Sequence, residues 1–359
     1  MDNVILLTAM GDYRYKVMTQ LMSSVRDTTL LLSGDEPFDV TVKTIKNNEL
    51  NYVKVKNIYF FNRKFMFQLV SPFRLLSCKC LLVDLNPRIV NLWFILFLRK
   101  ILGLESIVWG HAWPRNGKKS RSIIIRKLFA SLANKIIVYT ETQARELQPE
   151  LPRHIIVAAP NSLFYKKEIS YFHGSKRNLI LYVGRLVSEK KPILLLEAFL
   201  NYIVTRDSSI ELCFIGDGPE SATLQKILST HDKGVQERVH FLGHVNDFDV
   251  IEKYYKSSFV SVSPGYVGLS ITQSFSFGIP MVISDNEPHA PEIEAAQEGV
   301  NSLFFSANSS KSLSEKIMEI WDNKLFWTAQ GNLIAVNCAE SYSVEKMAER
   351  IVSAIKYKE

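Results

Sequence analysis

The sequence predicts an α/β protein of two similar domains, and three observations point that way. Short apolar runs alternate with segments of helical period along the chain, the pattern of βαβ units around parallel sheets buried on both faces. With 359 residues, 47% of them hydrophobic, the chain has the material for two packed cores. A polar stretch from Tyr165-Lys166-Lys167-Glu168 to His173-Gly174-Ser175-Lys176-Arg177 separates the two series of runs and reads as a linker.

In the first half, strands are expected at Val4 to Thr8, Thr29 to Leu32, Cys80 to Asp84, Ser106 to Gly110 and Lys135 to Tyr139. Val157 to Pro160 then leads to the linker. In the second half the expected strands are Leu179 to Val183, Glu211 to Ile215, Val239 to Leu242, Phe259 to Ser263 and Pro280 to Ser284, alternating with helices in a Rossmann-like plan. Ser343 to Tyr357 reads as a closing helix. The expected organisation is therefore an N-terminal domain 1–165, a linker 166–176, a C-terminal domain 177–340 and a terminal helix 341–359. Open sheets of this kind bind ligands beyond the carboxyl ends of their strands, which here are expected to face a shared cleft.

Composition narrows the function classes. The four cysteines, Cys78, Cys80, Cys213 and Cys338, show no metal-ligand spacing and read as reduced thiols of a cytoplasmic protein. Met1-Asp2-Asn3 runs straight into an apolar strand without the basic and small-residue marks of a signal peptide. The apolar run Leu92 to Leu98 stops at Arg99-Lys100, far short of the roughly 20 residues that span a bilayer. The net charge of +7 calls for an anionic partner. Arg99, Lys100, Arg115, Lys118, Lys119, Arg121, Arg126 and Lys127 face only Glu105 in their stretch. No zinc finger, RNA-recognition signature or basic zipper accompanies them, which disfavours nucleic acid. Two readings of Ile123 to Leu132 stay open: a helix facing an anionic membrane surface, or an amphipathic core helix with a solvated basic face.

Two motifs concentrate the chemistry. Gly184-Arg185-Leu186-Val187-Ser188-Glu189-Lys190 follows the run Leu179 to Val183 and delivers two cations, Arg185 and Lys190, from the turn after a strand. The segment from Gly265-Tyr266-Val267-Gly268-Leu269-Ser270 to Gly278-Ile279-Pro280 follows Phe259 to Val262 and opens a helix behind a glycine. The N–H groups of Gly268, Leu269 and Ser270, with the helix dipole, then suit an anion. A sugar diphosphate meets both demands.

Phe214-Ile215-Gly216-Asp217-Gly218-Pro219-Glu220 and Val239-His240-Phe241-Leu242-Gly243-His244-Val245 stand between these motifs. The four landmarks, in this order, resemble those of the GT-B glycosyltransferases of the family-4 type (glycosyl transferases group 1) from about Leu179 to about Phe305, and more faintly over the N-terminal half. The resemblance implies a GT-B fold, two Rossmann-like domains facing a central cleft, with terminal helices crossing back onto the first. It implies retaining, metal-independent transfer from a nucleotide-diphosphate sugar, UDP- or GDP-linked, with no cofactor. Arg185 and Lys190 would stabilise the leaving diphosphate, and Gly184, Gly268, Leu269 and Ser270 would border it.

Within that resemblance the chain departs from the pattern. Gly265 stands where the family has a first glutamate on the donor sugar, and Gln273 where a second contacts the ribose hydroxyls. Gln273 still donates and accepts hydrogen bonds, but Gly265 replaces nothing. His289 or Glu292, after the strand ending at Ser284, are candidates to supply the missing contacts, although Glu292 and Glu294 also read as first-turn carboxylates behind Pro291. Val245 and Asp247 are placed near the nucleotide base by the resemblance. Asp247-Phe248-Asp249 has the form of a metal motif of the other large glycosyltransferase fold, yet Asp247 before a helical segment reads more simply as an N-cap.

In the first half, His111 follows a strand end, and the family commonly supplies a histidine from this domain to the donor sugar or phosphate. Asp12, Tyr13 and Arg14 in the first βα loop, and Asn86 and Arg88 after the strand ending at Asp84, are expected on the acceptor side. The reading is a hexosyl- or deoxyhexosyltransferase that acts on a glycan or polyprenyl-linked acceptor, peripheral on the inner face of the cytoplasmic membrane, in capsule or O-antigen lipopolysaccharide assembly. A sugar-nucleotide epimerase, a glycan phosphorylase and a non-catalytic nucleotide-sugar-binding subunit remain as rivals.

Overall fold

The computed structural model describes residues 2–39, 44, 50–114, 120, 122–172 and 177–356. The chain divides into two units, residues 1–163 with 344–359, and residues 164–343.

Among the described residues, the first unit has eight strands: β1 (Asn3–Leu7), β2 (Thr29–Gly34), β3 (Val53–Phe60), β4 (Phe65–Leu69), β5 (Cys80–Asp84), β6 (Glu105–Trp109), β7 (Lys135–Val138) and β8 (Ile155–Ala158). Their order is β4-β3-β2-β1-β5-β6-β7-β8. All pairs are parallel except β3 with β4, an antiparallel hairpin at the sheet edge. Val4 to Leu7 and all of β5 are buried because helices cover both faces, which is why these strands read as unbroken apolar runs. The helices are α1 (Tyr15–Val25), α2 (Pro72–Ser77), α3 (Val90–Ile101), α4 (Ser122–Ala130) and α5 (Glu141–Leu147).

Among the described residues, the second unit has six parallel strands: β9 (Leu179–Val183), β10 (Glu211–Ile215), β11 (Val239–Phe241), β12 (Ser258–Ser263), β13 (Met281–Ser284) and β14 (Ser302–Phe305). Their order is β11-β10-β9-β12-β13-β14. Around them lie α6 (Pro192–Ala198), α7 (Ser221–Ser229), α8 (Lys233–Gln236), α9 (Phe248–Ser257), α10 (Ser270–Ser276), α11 (Ser310–Asp322) and α12 (Lys324–Tyr342). The last helix, α13 (Val344–Lys356), belongs to the first unit, where Met347, Ala348, Ile351 and Ile355 form its buried stripe and α1 is its main neighbour. Lys135 Nζ donates to the Ala354 carbonyl at 3.0 Å, and Arg350 to the Ala158 carbonyl at 3.1 Å.

Three details differ from the sequence expectation. The β3–β4 hairpin and β14 are additional strands. The start of the expected linker, Lys166–Glu168, is a 3-10 turn of the second unit, closed by the Glu168 carboxylate accepting from the Tyr165 N–H at 2.7 Å. Ser170 N–H donates to the Ser276 carbonyl at 3.0 Å, so this stretch is docked on α10 rather than free; residues 173–176 lie outside the described residues. All four cysteines are buried free thiols. Among the described residues, no helix is long and apolar enough to cross a membrane.

Candidate functional site

Each sheet has one point where strand order reverses, and open α/β sheets bind ligands beyond the carboxyl ends of the strands there. In the second unit it lies between β9 and β12. These are the two strands that lead into the Gly184 to Lys190 turn and the Gly265 to Ser270 loop.

The two loops meet on Tyr266. Arg185 Nη2 donates to the Tyr266 hydroxyl at 3.4 Å, and Lys190 Nζ to the Tyr266 carbonyl at 3.4 Å. The Lys190 ammonium also sits 4.3 Å from the centre of the Tyr266 ring. Burial, then repulsion from Arg185, bring the Lys190 pKa down to about 8. Two cations converging on one tyrosine, close enough for Arg185 to lower the Lys190 pKa, form a ready site for an anion. Tyr266 was not singled out from the sequence, because nothing local marks it as the residue both cations touch.

Gly265 has a packing reason. A Cβ built there would lie 2.3 Å from the Glu189 carbonyl oxygen and 2.7 Å from Lys190 Cα. The main chain after β12 therefore rests directly on the Lys190 turn, and a glutamate at 265 has no room to start. The Gly184 turn is braced in the same way from its other side. Leu186 N–H donates to the Asp217 carbonyl at 2.9 Å, and a Cβ on Gly216 would fall 1.8 Å from the Gly184 carbonyl oxygen. The two glycine-containing landmarks are one packed unit.

Gly268, Leu269 and Ser270 open α10, and among the described residues their N–H groups donate to no main-chain acceptor. Gln273, half-buried, lies in the first turn. His289 has both ring nitrogens engaged: Nδ1 accepts from the Val267 N–H at 3.0 Å and Nε2 pairs with the Ser284 carbonyl at 2.9 Å. Ala290 N–H donates to the Val267 carbonyl at 3.0 Å, so this loop clamps the α10 entry loop. His289 thus braces the site rather than offering a free nitrogen. Glu292 is buried in the 3-10 turn Pro291–Ala295, behind its proline. Asp247 caps α9, its Oδ1 accepting from Asp249 N–H at 2.9 Å and Val250 N–H at 3.2 Å. Val245 lies on the loop after β11, which is tied to the β10 loop by Gly216 N–H donating to the Gly243 carbonyl at 2.7 Å.

A cavity of about 410 Å³ in this unit, lined by Asn178, Phe259, Pro280 and Trp321 among others, lies at the opposite, amino ends of the strands; it touches the second motif only at its far end, Gly278 and Pro280, and includes none of Gly184 to Lys190 or Gly265 to Ser270.

In the first unit strand order reverses between β1 and β5. Arg14 lies there, but its guanidinium is committed. Nη1 pairs with Asp84 at 3.1 Å, Nη2 donates to the Tyr139 hydroxyl at 2.7 Å, and the group stacks 4.6 Å from the Trp109 ring centre. Asp84 also accepts from Thr8 N–H at 2.6 Å. Arg14 is therefore a tie across β1, β5, β6 and β7, while Asp12 and Tyr13 of the same turn are exposed. Asn86 Oδ1 caps its own loop through Arg88 N–H at 3.2 Å. Arg88 donates to the carbonyls of Lys64, at 2.8 Å, and Arg63, and so clamps the tip of the β3–β4 hairpin.

His111 follows β6 with its ring 4.6 Å from that of Tyr139 and one side open to solvent. Close packing, then Arg126 and Arg14, push its pKa down to about 4. At neutral pH it is an uncharged imidazole, able to donate one hydrogen bond and accept another.

Of the two readings of Ile123 to Leu132, the one with a solvated basic face is not what α4 shows among the described residues. Arg126 turns inward, with Nη1 donating to the carbonyls of Leu85 at 2.9 Å and His111 at 3.0 Å, and Lys127 pairs with Glu150 at 2.7 Å. What α4 exposes is Ile124, Ile125 and Leu128. Arg115, Lys118, Lys119 and Arg121 lie outside the described residues.

Residues 166–333 match the family of glycosyl transferases group 1. The poly(ribitol-phosphate) alpha-N-acetylglucosaminyltransferase of Staphylococcus aureus (strain COL) is 22% identical over 65% of this chain and 45% of its own length, so the chain spans less than half of that relative. The O-antigen biosynthesis glycosyltransferase WbnH of Escherichia coli is 25% identical over 68% of this chain and 70% of its own. Among solved structures, Anabaena HepE in complex with UDP superposes with a TM-score of 0.71 at 12% identity over 99% of both chains. The lipopolysaccharide outer core galactosyltransferase WaaB superposes with a TM-score of 0.67 at 15% identity, again over 99% of both. At such identities the structures speak for the fold alone. The domain match and the fold agree: residues 166–333 match the glycosyl transferases group 1 model, and the chain as a whole has the GT-B fold of the glycosyltransferase structures it superposes on.

Proposed function

We propose that the protein moves a sugar from a nucleotide-diphosphate donor to a glycan or polyprenyl-linked glycan during assembly of a cell-surface polysaccharide, with retention at the anomeric carbon and without a metal ion. The observation that carries this reading is the meeting of Arg185 and Lys190 on Tyr266, at the strand-order reversal and beside the open N–H groups of Gly268 to Ser270. Charge develops on the departing diphosphate in the transition state, and fixed cations and N–H groups stabilise it there without reorganisation. Lys190 and Arg185 supply the charge that a divalent ion supplies elsewhere. His111, uncharged, suits hydrogen bonding to a sugar hydroxyl or a phosphate oxygen. Two relatives act, by name, on poly(ribitol-phosphate) and in O-antigen biosynthesis, and HepE was solved with UDP, which favours a cell-surface polymer and a uridine donor. Exposed Phe94, Phe97 and Ile101 on α3, with the α4 residues, favour an acceptor met at a membrane surface.

The test is a thermal-shift panel of UDP, GDP and their sugars with EDTA present, on the wild type and on Arg185→Ala/Lys190→Ala. A shift with one nucleotide that survives EDTA and disappears in the double variant is expected. No shift with any nucleotide from folded protein refutes the donor site. Binding without transfer to any acceptor supports a binding subunit instead.

A further inference from the structure

We infer that the β3–β4 hairpin is the element by which this protein inserts into an anionic bilayer surface. The inference gives the membrane part of the reading above a defined element, and it does not depend on the donor site. In the hairpin, Ile58 pairs with Phe67 and Phe60 with Phe65, and all four point to the exposed face, while Val55, Met66 and Gln68 are buried on the other. Leu69 extends the same row, Phe61 at the tip is 77% exposed and Phe73, at the start of α2, 84%. Scattered apolar side chains on a surface are ordinary, but a run of this kind marks an interaction site. From residue 51 to residue 79 the chain carries Lys54, Lys56, Arg63, Lys64, Arg74 and Lys79 and not one aspartate or glutamate.

The tip is built to hold Phe61 outward. Phe61, Asn62 and Arg63 all have left-handed backbone, with φ of 49°, 54° and 62°, a conformation that asparagine takes readily but phenylalanine and arginine seldom take unless their surroundings impose it. Here Arg88 supplies the constraint through the Arg63 and Lys64 carbonyls, and Lys64 N–H closes on the Phe61 carbonyl at 3.2 Å. The Arg63 guanidinium turns back to Glu36 at 3.1 Å and to the Pro37 carbonyl. The Phe61, Arg63 and Lys64 carbonyls and the Arg63 guanidinium are thus satisfied within the protein, which lowers the cost of bringing the tip to a lipid interface.

The charge pattern selects the occupant. Aromatic rings with Lys and Arg and no acid suit the headgroup region of an anionic leaflet. Lys54 and Lys56 share the exposed face with the aromatic residues, about 14 Å from Phe60 for Lys56 at ~3.4 Å per residue, so they stay at headgroup level while the tip enters roughly 5–10 Å. Pairing with a strand of another protein is closed off, because the outer edge of β4 is taken. Met66 N–H donates to the Arg88 carbonyl at 2.9 Å, Gln68 N–H to Asn91 Oδ1 at 3.0 Å, and Asn91 Nδ2 to the Gln68 carbonyl at 3.1 Å.

The full chain is sedimented with vesicles of phosphatidylcholine alone and of phosphatidylcholine mixed equally with phosphatidylglycerol. Wild type is expected to bind the mixed vesicles and to leave the neutral ones. Phe61→Ser/Phe65→Ser/Phe67→Ser is expected to lose binding by about tenfold or more, with a circular dichroism spectrum and a nucleotide thermal shift like the wild type. Lys54→Gln/Lys56→Gln is expected to weaken binding in a salt-dependent way. A hairpin variant that binds as well as wild type while Ile124→Ser/Ile125→Ser does not would overturn the inference in favour of the α4 face. Absence of wild-type binding to either vesicle also overturns it, leaving the donor site untouched. So does light scattering that shows a dimer which the phenylalanine variant dissociates.

Discussion

Raising the pH from 7 to 9 tests the role given to Lys190 without any mutation. With its pKa brought down to about 8, the free protein passes from about nine-tenths to about one-tenth ammonium at this position over that interval. A nucleotide sugar binds the ammonium form, and its diphosphate, esterified at both ends, is fully ionised throughout. Its affinity is therefore expected to fall about tenfold, or about 1.4 kcal/mol, between the two pH values. Binding restores the proton, so at pH 8 about half a proton is taken up for each nucleotide bound. Isothermal titration in two buffers of different ionisation enthalpy measures both quantities, and Lys190→Arg, which stays charged, is expected to flatten the profile. The stability of the free protein has the opposite slope. A lysine whose folded pKa lies below the unfolded 10.5 binds fewer protons when folded, so stability rises as pH climbs from about 8 toward 10.5. A flat affinity profile from pH 7 to 9, or no proton uptake at pH 8, would show that Lys190 does not meet the diphosphate.

Two substitutions test the frame around the sites. Gly265→Glu, which rebuilds the family side chain, is expected to destabilise the protein by about 1–3 kcal/mol through the clash with the Glu189–Lys190 main chain, and to weaken nucleotide binding rather than improve it, as a melting curve with and without UDP reads directly. Arg14→Ala leaves the Asp84 carboxylate buried without its guanidinium and is expected to cost about 3–5 kcal/mol in urea unfolding, with the UDP thermal shift retained.

The parallel strands were legible because burial on both faces writes them as unbroken apolar runs; β5 and β9 are examples. The β3–β4 hairpin escaped for the opposite physical reason. The alternation of Val53 to Lys56 breaks at polar, buried Asn57 and apolar, exposed Ile58 and Phe60, and the tip, Phe61-Asn62-Arg63-Lys64, lacks the glycine or proline that usually announces a turn. The short β14 was hidden in a stretch with no motif attached. At the candidate site the sequence named Arg185, Lys190 and the α10 entry but not Tyr266, which gains its place only when two loops 81 residues apart meet. The commitments of Arg14 and His289 were likewise invisible, since their partners, Asp84, Tyr139, Val267 and Ser284, are chosen by tertiary packing.

The position of α13 has a consequence for how the molecule is made. The first unit lacks the helix that packs on α1 until the ribosome has passed through all of residues 164–343, so its β-sheet waits with one face incomplete while the second unit, contiguous in sequence, can close on its own. Contacts between α1 and α13 join residues more than 300 positions apart, the kind of long-range closure that slows folding and keeps apolar surface open meanwhile. In order of synthesis the amino-terminal unit begins first and finishes last.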